Sequence, residues 1–391
     1  PGVQAAASEA ATELLIGQRL ALMKSVAAHK WANGLQIEAP AREAVVIAAA
    51  RRNALNHQLN VASVEILFAL QIQAAKEIQH YWFDRWNNGE PAPPAPDLDG
   101  ELRPRLLELG DAILAELALQ TEQQSTEAVP LPDVGGLRAA TWAALAAAVG
   151  DVSRYPDRLT QILDAGILRV GTTGDYQPFS WREDDVYRGI DIAMAEDLAG
   201  ELGVAIEWIS TSWPTLMNDL LAGRFDVAMS GVSRTMQRAR SAYFSRPYYI
   251  GGKTAIARCD RAEDFSSLEA IDQPGARVVV NPGGTNERFV DRNITQARKV
   301  LHPDNRTVFA ELIAGRADVM FTDAIEVAVH TAKSPELCRA VSGLLSYQEK
   351  GYLLPVDERL KAFVNLWLDN RLGDGFAARL FAEQGIELKL D

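Results

Sequence analysis

Three cationic side chains near the start of the chain have a spacing that could hold a small anion. Arg19 and Lys30 are eleven residues apart. Eleven residues are close to three helical turns, so both side chains lie on nearly the same face, about 16 Å apart along the axis. Arg42, followed by Glu43, opens the next helical segment. Solvated surface charges are the ordinary interpretation of such residues. The alternative is a carboxylate pocket, because arginine can bind a carboxylate through two parallel hydrogen bonds.

A second group of candidate residues follows predicted strands in the later part of the chain. The turn NPGG at 281–284 precedes a predicted helix and could offer backbone N–H groups to an anion. It lacks the Lys-Ser/Thr pair of a nucleotide loop, so a carboxylate is favoured over a phosphate. Asp323 follows a predicted strand and Glu326 stands one helical turn beyond it, so both could face one cleft. The simpler interpretation of Glu326 is a solvated first-turn acid stabilised by the helix dipole.

Composition limits the possible classes of function. The 391 residues are 48% hydrophobic and 23% charged, which suits buried cores and argues against a disordered chain. The net charge of -13 disfavours nucleic acid as a partner, because phosphate contacts need clustered Lys and Arg. No stretch of about 18 uncharged apolar residues is present, so we expect no membrane-spanning segment. The first residue is Pro1 rather than Met, and removal of a signal peptide is one explanation.

The first 150 residues are rich in Ala, Leu and Gln and predict helices. Amphipathic periodicity and stop signals indicate four of them, over residues 12–33, 40–58, 61–86 and 101–120. The run PAPPAP at 91–96 can be neither helix nor central strand. A polar stretch at 121–136 is typical of a linker, and the Ala-rich residues 137–149 predict one more helix.

From residue 156 onward, short β-branched runs alternate with helical patterns. Strands are predicted over residues 167–171, 204–209, 225–229, 253–258, 277–280 and 317–321. This alternation is typical of an α/β unit, in which ligands bind beyond the carboxyl ends of the strands.

Four helical segments resemble the all-helical chorismate mutases, nearest the secreted type. They are QRL at 18–20, VAAHKW at 26–31, RE at 42–43 and QIQAAKEIQ at 71–79, within a resemblance that covers about residues 10–120. The resemblance implies that Arg19, Lys30 and Arg42 hold chorismate. It also implies that Gln79 reaches the ether oxygen and that Glu43 contacts the hydroxyl. The rearrangement to prephenate needs no nucleophile and no cofactor, only a held conformer and charge stabilisation.

The chain departs from that pattern at several positions. Val46 and Ala75 stand where a polar contact is common in the family. The secreted type often adds an arginine from a late helix, for which Arg103, Arg105 and Arg138 are the candidates. The identity of any further arginine in the pocket stays open.

The later segments GTTGDYQPFS at 171–180, GIDIA at 189–193 and FDVAMSG at 225–231 resemble the periplasmic amino-acid-binding proteins. That resemblance implies two α/β lobes with a ligand between them. It also implies that Arg238 pairs with a ligand carboxylate and that Asp323 meets an amino group. The pattern extends from about 156 to 388.

Further segments are similar to one branch of these proteins, the cyclohexadienyl dehydratases. They are TSWP at 211–214, NPGGTNE at 281–287, HPDN at 302–305, TDAIE at 322–326 and YLLP at 352–355. The resemblance implies that Glu326 is the general acid, which calls for partial desolvation to keep it protonated. The remaining expected substrate contacts are Asp175, Tyr176, Trp213, Ser230, Ser233, Thr285 and Asn286.

The chain has two cysteines, Cys259 and Cys338. Two buried thiols or one disulfide are both compatible with this count, and without a CxxC pair a metal or redox motif is not expected. Both fall where the cysteines of the dehydratase branch fall, so the resemblance favours a disulfide and an oxidising compartment, the periplasm.

These observations predict a multidomain chain: an all-α chorismate mutase domain at 1–125, a linker with an Ala-rich helix at 126–154, and a two-lobed α/β domain with the periplasmic-binding-protein fold at 155–391. The predicted function is conversion of chorismate to prephenate and then of prephenate, or arogenate, to phenylpyruvate, or phenylalanine. No cofactor or metal is expected, the partners are small-molecule substrates, and a homo-oligomer is expected. One alternative is a solute receptor with a helical oligomerisation or mutase domain. Another keeps the mutase and makes the second domain a prephenate-binding regulator.

Overall fold

A computed structural model describes residues 2–119 and 130–388, and their side chains from residue 11 onward. The chain divides into two compact units, Pro1–Pro156 and Asp157–Asp391. Each unit has its own hydrophobic core. The all-helical region followed by a two-lobed α/β region is thereby confirmed.

The first unit is built from helices. They are α1 Gly2–Ala21, α2 Met23–Ala32, α3 Pro40–Asn56, α4 Val61–Asn87, α5 Arg103–Leu119 and α6 Ala139–Gly150, with a π-helical turn at Leu98–Leu102. Asn60 begins α4 by accepting a hydrogen bond from the Ser63 backbone N–H at 3.1 Å. Helix α1 packs on α5, and α3 packs on α4. Leu20, Leu67 and Ile113 are fully buried where these helices meet, and each such side chain contributes about 1.5–3 kcal/mol of hydrophobic stabilisation.

Two predictions about the first unit were wrong. The first helix was expected to start at residue 12, but α1 starts at Gly2, and a turn at Leu22 separates it from α2. The segment before residue 12 is Ala-rich and has no helix breaker after Gly2, so the helix extends backward.

The Ala-rich helix α6 was assigned to a linker at 126–154, but it packs into the core of the first unit. Trp142, Leu145 and Val149 form one buried stripe at helical spacing. Glu77 of α4 ties the start of α6 in place, because its carboxylate accepts hydrogen bonds from the Arg138 backbone N–H and the Thr141 hydroxyl, both at 2.7 Å. Residues 126–129 of the predicted linker and the predicted helix end at Gln120 lie outside the described residues.

The helices of the second unit are short and alternate with strands. They are α7 Arg158–Ala165, α8 Ile190–Leu202, α9 Leu216–Leu221, α10 Met236–Ala239, α11 Leu268–Ile271, α12 Thr285–Asn293, α13 Val308–Ile313, α14 Ala324–Lys333, α15 Glu358–Gly373 and α16 Phe376–Glu383. A 3-10 turn spans Cys259–Phe265.

Two five-stranded sheets organise the strands of this unit. The strands are β1 Ile167–Thr172, β2 Asp175–Tyr176, β3 Ser180–Glu183, β4 Val186–Arg188, β5 Ala205–Ser210, β6 Val227–Ala228, β7 Tyr243–Phe244, β8 Tyr249–Gly251, β9 Lys253–Arg258, β10 Arg277–Val280, β11 Arg298–Leu301, β12 Val319–Asp323, β13 Leu337–Arg339, β14 Gln348–Lys350 and β15 Leu353–Leu354. The first sheet has the order β5-β1-β6-β15-β7 and the second β11-β10-β12-β9-β13. Each has a parallel centre, and antiparallel pairing joins β15 to the first sheet and β9 to the second.

The chain leaves the first lobe after β7, builds the second lobe, and returns at β15. The outgoing strand β8 and the returning strand β14 pair antiparallel, so both connections between the lobes run side by side. Cys259 and Cys338 form a disulfide within the second lobe, where it joins the residue after β9 to β13. These connections bring the carboxyl ends of β10 and β12 to the cleft that holds the second set of candidate residues.

Candidate active sites

A cavity of about 430 Å³ lies among the helices of the first unit. Its lining includes every residue that the sequence placed in the mutase pocket, namely Arg19, Lys30, Arg42, Glu43 and Gln79. Apolar side chains such as Met23, Val26 and Phe68 form the walls. The cavity therefore combines cationic side chains with apolar walls, which suits a small dicarboxylate.

Arg19 lies on α1 and is almost completely buried. Its Nη1 donates to Gln71 Oε1 at 3.2 Å, and its guanidinium lies 5.8 Å from the centre of the Phe68 ring. Burial lowers the pKa of Arg19 to about 10, so the side chain stays cationic near neutral pH. The buried Nε atom has no hydrogen-bond partner. Arg19 therefore retains donor capacity for an anion.

Lys30 and Gln79 reach the cavity from α2 and α4. Lys30 Nζ donates to the Ile37 carbonyl at 2.7 Å, and burial lowers its pKa despite the nearby acids Glu38 and Glu43. Gln79 Nε2 donates to the Ala75 carbonyl at 2.9 Å, while its buried Oε1 has no partner. A neutral amide and an ammonium thus flank the same space, and neither has to transfer a proton.

Glu43 is oriented from two sides. Its Oε1 accepts from the Ala39 backbone N–H at 3.2 Å, and its Oε2 accepts from Lys76 Nζ at 3.1 Å. Burial raises the pKa of Glu43, but the hydrogen bonds from Lys76 and the Ala39 backbone, together with the charges of Lys76 and Lys30, outweigh it and the net change is downward. Arg42, one residue earlier, is half-buried and makes no hydrogen bond or ion pair within the described part of the chain.

Sequence reasoning missed one cation of this cavity and left a second one open. Lys76 stands on α4 one helical turn before Gln79, and this spacing could have identified it. Arg103, one of three arginines left open, lines the cavity from the start of α5 and pairs with Asp99. Arg138 instead pairs with Glu77 near α6. Val46 and Ala75, the two departures from the mutase pattern, also line the cavity.

The second candidate site lies in the second unit around the end of β12. The cavity there has a volume of only about 30 Å³, close to that of one water molecule. Its lining is Tyr176, Trp213, Gly231, Ser233, Arg238, Lys253, Asn281, Gly284, Thr285, Asn286, Asn305, Asp323, Glu326 and Lys350. The described conformation of this site is therefore closed.

Asp323 is the centre of a buried charge network. Lys253 Nζ donates to its Oδ1 and Lys350 Nζ to its Oδ2, both at 2.6 Å. The Tyr176 hydroxyl also donates to Oδ2. Burial raises the pKa of Asp323, but the two lysines outweigh this effect and hold it well below its usual range. Asp323 is therefore ionised.

Glu326 lies in the first turn of α14 and is 1% exposed. Burial raises its pKa to about 8, and the charge of Asp323 acts in the same direction. The Thr322 hydroxyl donates to its Oε2 and opposes the rise. The side chain is therefore a buried acid that is protonated at neutral pH, rather than the solvated first-turn acid of the simpler interpretation.

Arg238 faces the same cavity from α10. It is 3% exposed, and its Nη1 donates to the Ser233 carbonyl at 3.0 Å. Burial lowers its pKa to about 10, with a smaller effect from Arg288. Its buried Nε has no partner, which leaves a donor for an anionic ligand.

The turn at 281–284 offers fewer free backbone N–H groups to a ligand than expected. Gly283 donates its N–H to Glu287 Oε2 at 2.7 Å, so this group is already occupied. Its φ of +80° and its close approach to the Pro214 backbone require glycine there. Thr285 lines the cavity, and Asn286 accepts a hydrogen bond from Lys253 Nζ.

The aromatic wall is present, while two expected contacts do not line the cavity. Tyr176 and Trp213 meet edge to face with 5.8 Å between ring centres. Trp213 Nε1 donates to Asp175 Oδ1 at 3.1 Å, and burial raises the pKa of Asp175. Asp175 and the buried Ser230, which hydrogen-bonds to Thr173, do not line the cavity, whereas Ser233 does.

Sequence reasoning also missed Lys253 and Lys350. Lys253 is the first residue of β9 and Lys350 the last of β14. No local motif distinguished either of them. Asn281 and Asn305 were quoted within motifs but given no role, and both line the cavity.

Within the described ranges, no three His, Cys, Asp or Glu side chains are grouped closely enough to hold a metal ion. Nor does the described part of the chain contain a helix of the length and apolar content that crossing a membrane requires.

Comparison with known proteins agrees with the geometry of both units. Residues 168–383 match the family described as bacterial extracellular solute-binding proteins, family 3. Residues 13–80 match chorismate mutase type II.

Individual relatives match the second unit. A cyclohexadienyl dehydratase of Pseudomonas aeruginosa is 50% identical over 213 residues, which cover 54% of this chain and 80% of that protein. An L-cystine-binding protein of Escherichia coli is 28% identical over 197 residues, or 50% of this chain and 73% of that protein. Among solved structures, an ancestral amino acid-binding protein described as a precursor of cyclohexadienyl dehydratase matches with a TM-score of 0.55 and 33% identity. That match covers 58% of this chain and 99% of that one. The chain therefore belongs to the bacterial extracellular solute-binding proteins of family 3, and it carries a chorismate mutase type II region ahead of that domain.

Proposed function

We propose that the chain is a bifunctional enzyme of phenylalanine biosynthesis. The first unit converts chorismate to prephenate, and the second converts prephenate to phenylpyruvate. The observation that carries the proposal is Glu326, a protonated acid at neutral pH in a cavity lined by buried cations. A receptor that only binds a solute has no use for a proton donor there. The 50% identity to a cyclohexadienyl dehydratase supports the same conclusion.

In the first unit, the substrate is held rather than attacked. Arg19 and Arg42 bind the carboxylates of chorismate, because both line the cavity and the buried Nε of Arg19 has no partner. Lys30 and the Gln79 amide stabilise the charge that develops on the ether oxygen as the C–O bond breaks. Glu43, held by Lys76, binds the substrate hydroxyl. The rearrangement is unimolecular, so orientation and electrostatics supply the rate acceleration.

In the second unit, Glu326 donates its proton to the C4 hydroxyl of prephenate, which leaves as water. The bond from the ring to its carboxylate breaks, CO2 departs, and the electron pair of that bond completes the aromatic ring. Arg238 holds the side-chain carboxylate, and Tyr176 and Trp213 pack against the ring. Aromatisation drives the step, so neither an oxidant nor a cofactor is needed.

The experiment is a time course in which the purified chain is given chorismate and both products are followed. We expect prephenate to rise first and phenylpyruvate to replace it. Prephenate that accumulates without further loss would rule out the second activity. Tight binding of arginine or glutamine together with failure to convert prephenate would instead favour a solute receptor.

We also propose a periplasmic location, a homo-oligomeric state and separable catalytic units at 1–156 and 157–391. The family is described as extracellular, and the Cys259–Cys338 disulfide fits an oxidising compartment. The homo-oligomer follows from the resemblance of the first unit, whose relatives commonly pair. Cell fractionation and light scattering of the purified chain test the first two, and separate expression of the two ranges tests the third.

A further inference from the structure

The carboxylate of Asp323 is already fully engaged inside the second-unit cavity. Lys253 and Lys350, which are 1% and 3% exposed, each place an ammonium 2.6 Å from one of its oxygens. The Tyr176 hydroxyl donates to the same group. A carboxylate offers about four acceptor sites, and three are taken by donors of the chain itself. An ammonium from a ligand would find little left to bind.

The aromatic face that could replace a carboxylate as a cation site is also occupied. Lys350 Nζ lies 4.9 Å from the centre of the Tyr176 ring, within the range of a cation–π contact. Among the described lining residues, Asn305 presents a buried Oδ1 without a partner. It is a neutral amide oxygen, so it can accept a hydrogen bond but cannot offset the charge of an ammonium.

The charges that line the cavity favour an anion. Its cations are Arg238, Lys253 and Lys350, and its acids are Asp323 and Glu326. Glu326 is neutral below about pH 8, so three cations face one ionised carboxylate and two positive charges remain. Buried charges that lack a partner are costly, so the ligand that fits best carries two negative charges and no positive one.

We propose that the second-unit site selects a dicarboxylate with a keto group where an amino acid carries its ammonium, so that prephenate is preferred over arogenate. The inference rests on the proposed function, because it concerns the substrate class of that same site. Lys253 and Lys350 are specificity-determining residues in this proposal. They fill the acceptor that an amino acid would use, and they supply the charge that a dianion needs.

The test uses binding without turnover. In the full chain with Glu326→Gln, which keeps the position neutral, prephenate and arogenate are titrated by calorimetry. We expect prephenate to bind at least about tenfold more tightly. Equal affinities, or tighter binding of arogenate, would overturn the inference. Turnover of prephenate by the unsubstituted chain tests the proposed function separately: a binding preference without turnover would refute that function alone, and turnover with equal affinities would refute the selectivity alone.

Two further variants locate the cause of the preference. Lys350→Met in the Glu326→Gln background removes one of the two donors to Asp323 Oδ2 and one positive charge, so the preference for prephenate should fall by about tenfold or more. Lys253→Met should act in the same direction, while Lys333→Met, at an exposed position on α14, should leave the ratio unchanged. Equal weakening of both ligands in both lysine variants would overturn the assignment. Circular dichroism reports whether each variant folds, and if neither lysine variant folds, the ratio in Glu326→Gln decides.

Discussion

The two cavities of this chain use similar residues but differ in volume and in the partners of their cations. The first has a volume of about 430 Å³, and in it Arg19 donates to an amide oxygen and Lys30 to a backbone carbonyl. The second has a volume of about 30 Å³, and its two lysines are bound to an internal carboxylate. The first cavity is thus arranged for its ligand beforehand. The second has little free space and its lysines are neutralised by Asp323, so a ligand the size of prephenate does not fit the described arrangement.

The two cavities also differ in their proton chemistry. The first is lined by Gln79, an amide without a titratable proton. The second presents Glu326, a carboxylic acid whose pKa burial raises to about 8. A pericyclic rearrangement needs stabilised charge, whereas loss of water needs a proton donor. The difference between an amide and a buried acid therefore separates the two proposed steps.

The largest effect is expected from Glu326→Gln. It removes the proton donor and keeps its shape, so conversion of prephenate should fall about a thousandfold while consumption of chorismate is unchanged. The measurement is the rate of each step on its own substrate. Glu383→Gln, at an exposed position on α16, is the matched control and should alter neither rate. Equal loss of both activities would contradict this division between the cavities.

The reciprocal change, Lys30→Ala, should act only on the first step. Removing one charged donor from the transition state should lower turnover of chorismate about a hundredfold and leave prephenate conversion intact. Lys24→Ala is the control on the same helix, because Lys24 lies over the Trp82 ring at 3.7 Å and does not line the cavity. If prephenate conversion fell as well, the two sites would not be independent.

Above pH 8, the rate of prephenate conversion should fall relative to the rate of chorismate consumption by about tenfold per pH unit. Glu326 acts in its protonated form, which is present below its pKa of about 8 and is lost as the pH rises through that value. Prephenate conversion should therefore decline above about pH 8. The chorismate step transfers no proton, but it needs the charge of Lys30, whose pKa burial lowers, and of Arg19, whose pKa burial lowers to about 10. Initial rates measured for both steps in the same buffers test this, and parallel profiles would contradict it.

The smallest effect is expected from Lys76→Met. Lys76 lines the first cavity and holds Glu43 at 3.1 Å, but it is partly exposed and stabilises bound substrate and transition state alike. We expect the KM for chorismate to rise about fivefold with little change in kcat, which corresponds to about 1 kcal/mol. Lys76→Arg should retain most of the affinity. A fall in kcat at constant KM would instead place Lys76 at the reacting bond.

The residues of the first cavity were largely predictable because their arrangement is local. Helical periodicity predicts Arg19 and Lys30 on one face, and both line the cavity although a turn at Leu22 separates their helices. The same rule extends to Lys76 and Gln79 on α4. The role of α6 was not predictable, because an Ala-rich helix carries little information about its partner. Only the packing of Trp142 against the first core assigned it.

The second cavity was predictable in its acids and in Arg238, but not in its two lysines. Glu326 and Asp323 belong to one short motif after a strand, so sequence could place them together. Lys253 reaches Asp323 because the antiparallel pairing of β9 with β12 sets the two residues opposite each other. Lys350 arrives from β14, on the returning connection between the lobes. Pairing between distant segments leaves no local signal.

The sequence by itself determined which functional groups the chain carries and on which local elements they stand. Helix periodicity, strand ends and glycine turns are short-range properties, and they placed each candidate near the right end of the right element. The tertiary structure alone decided the protonation state and the charge partners of those groups. Burial made Glu326 an acid that keeps its proton near neutral pH, and two lysines from distant strands made Asp323 an internal counter-ion. Desolvation and charge pairing depend on every neighbour in space, so no local pattern could have specified them.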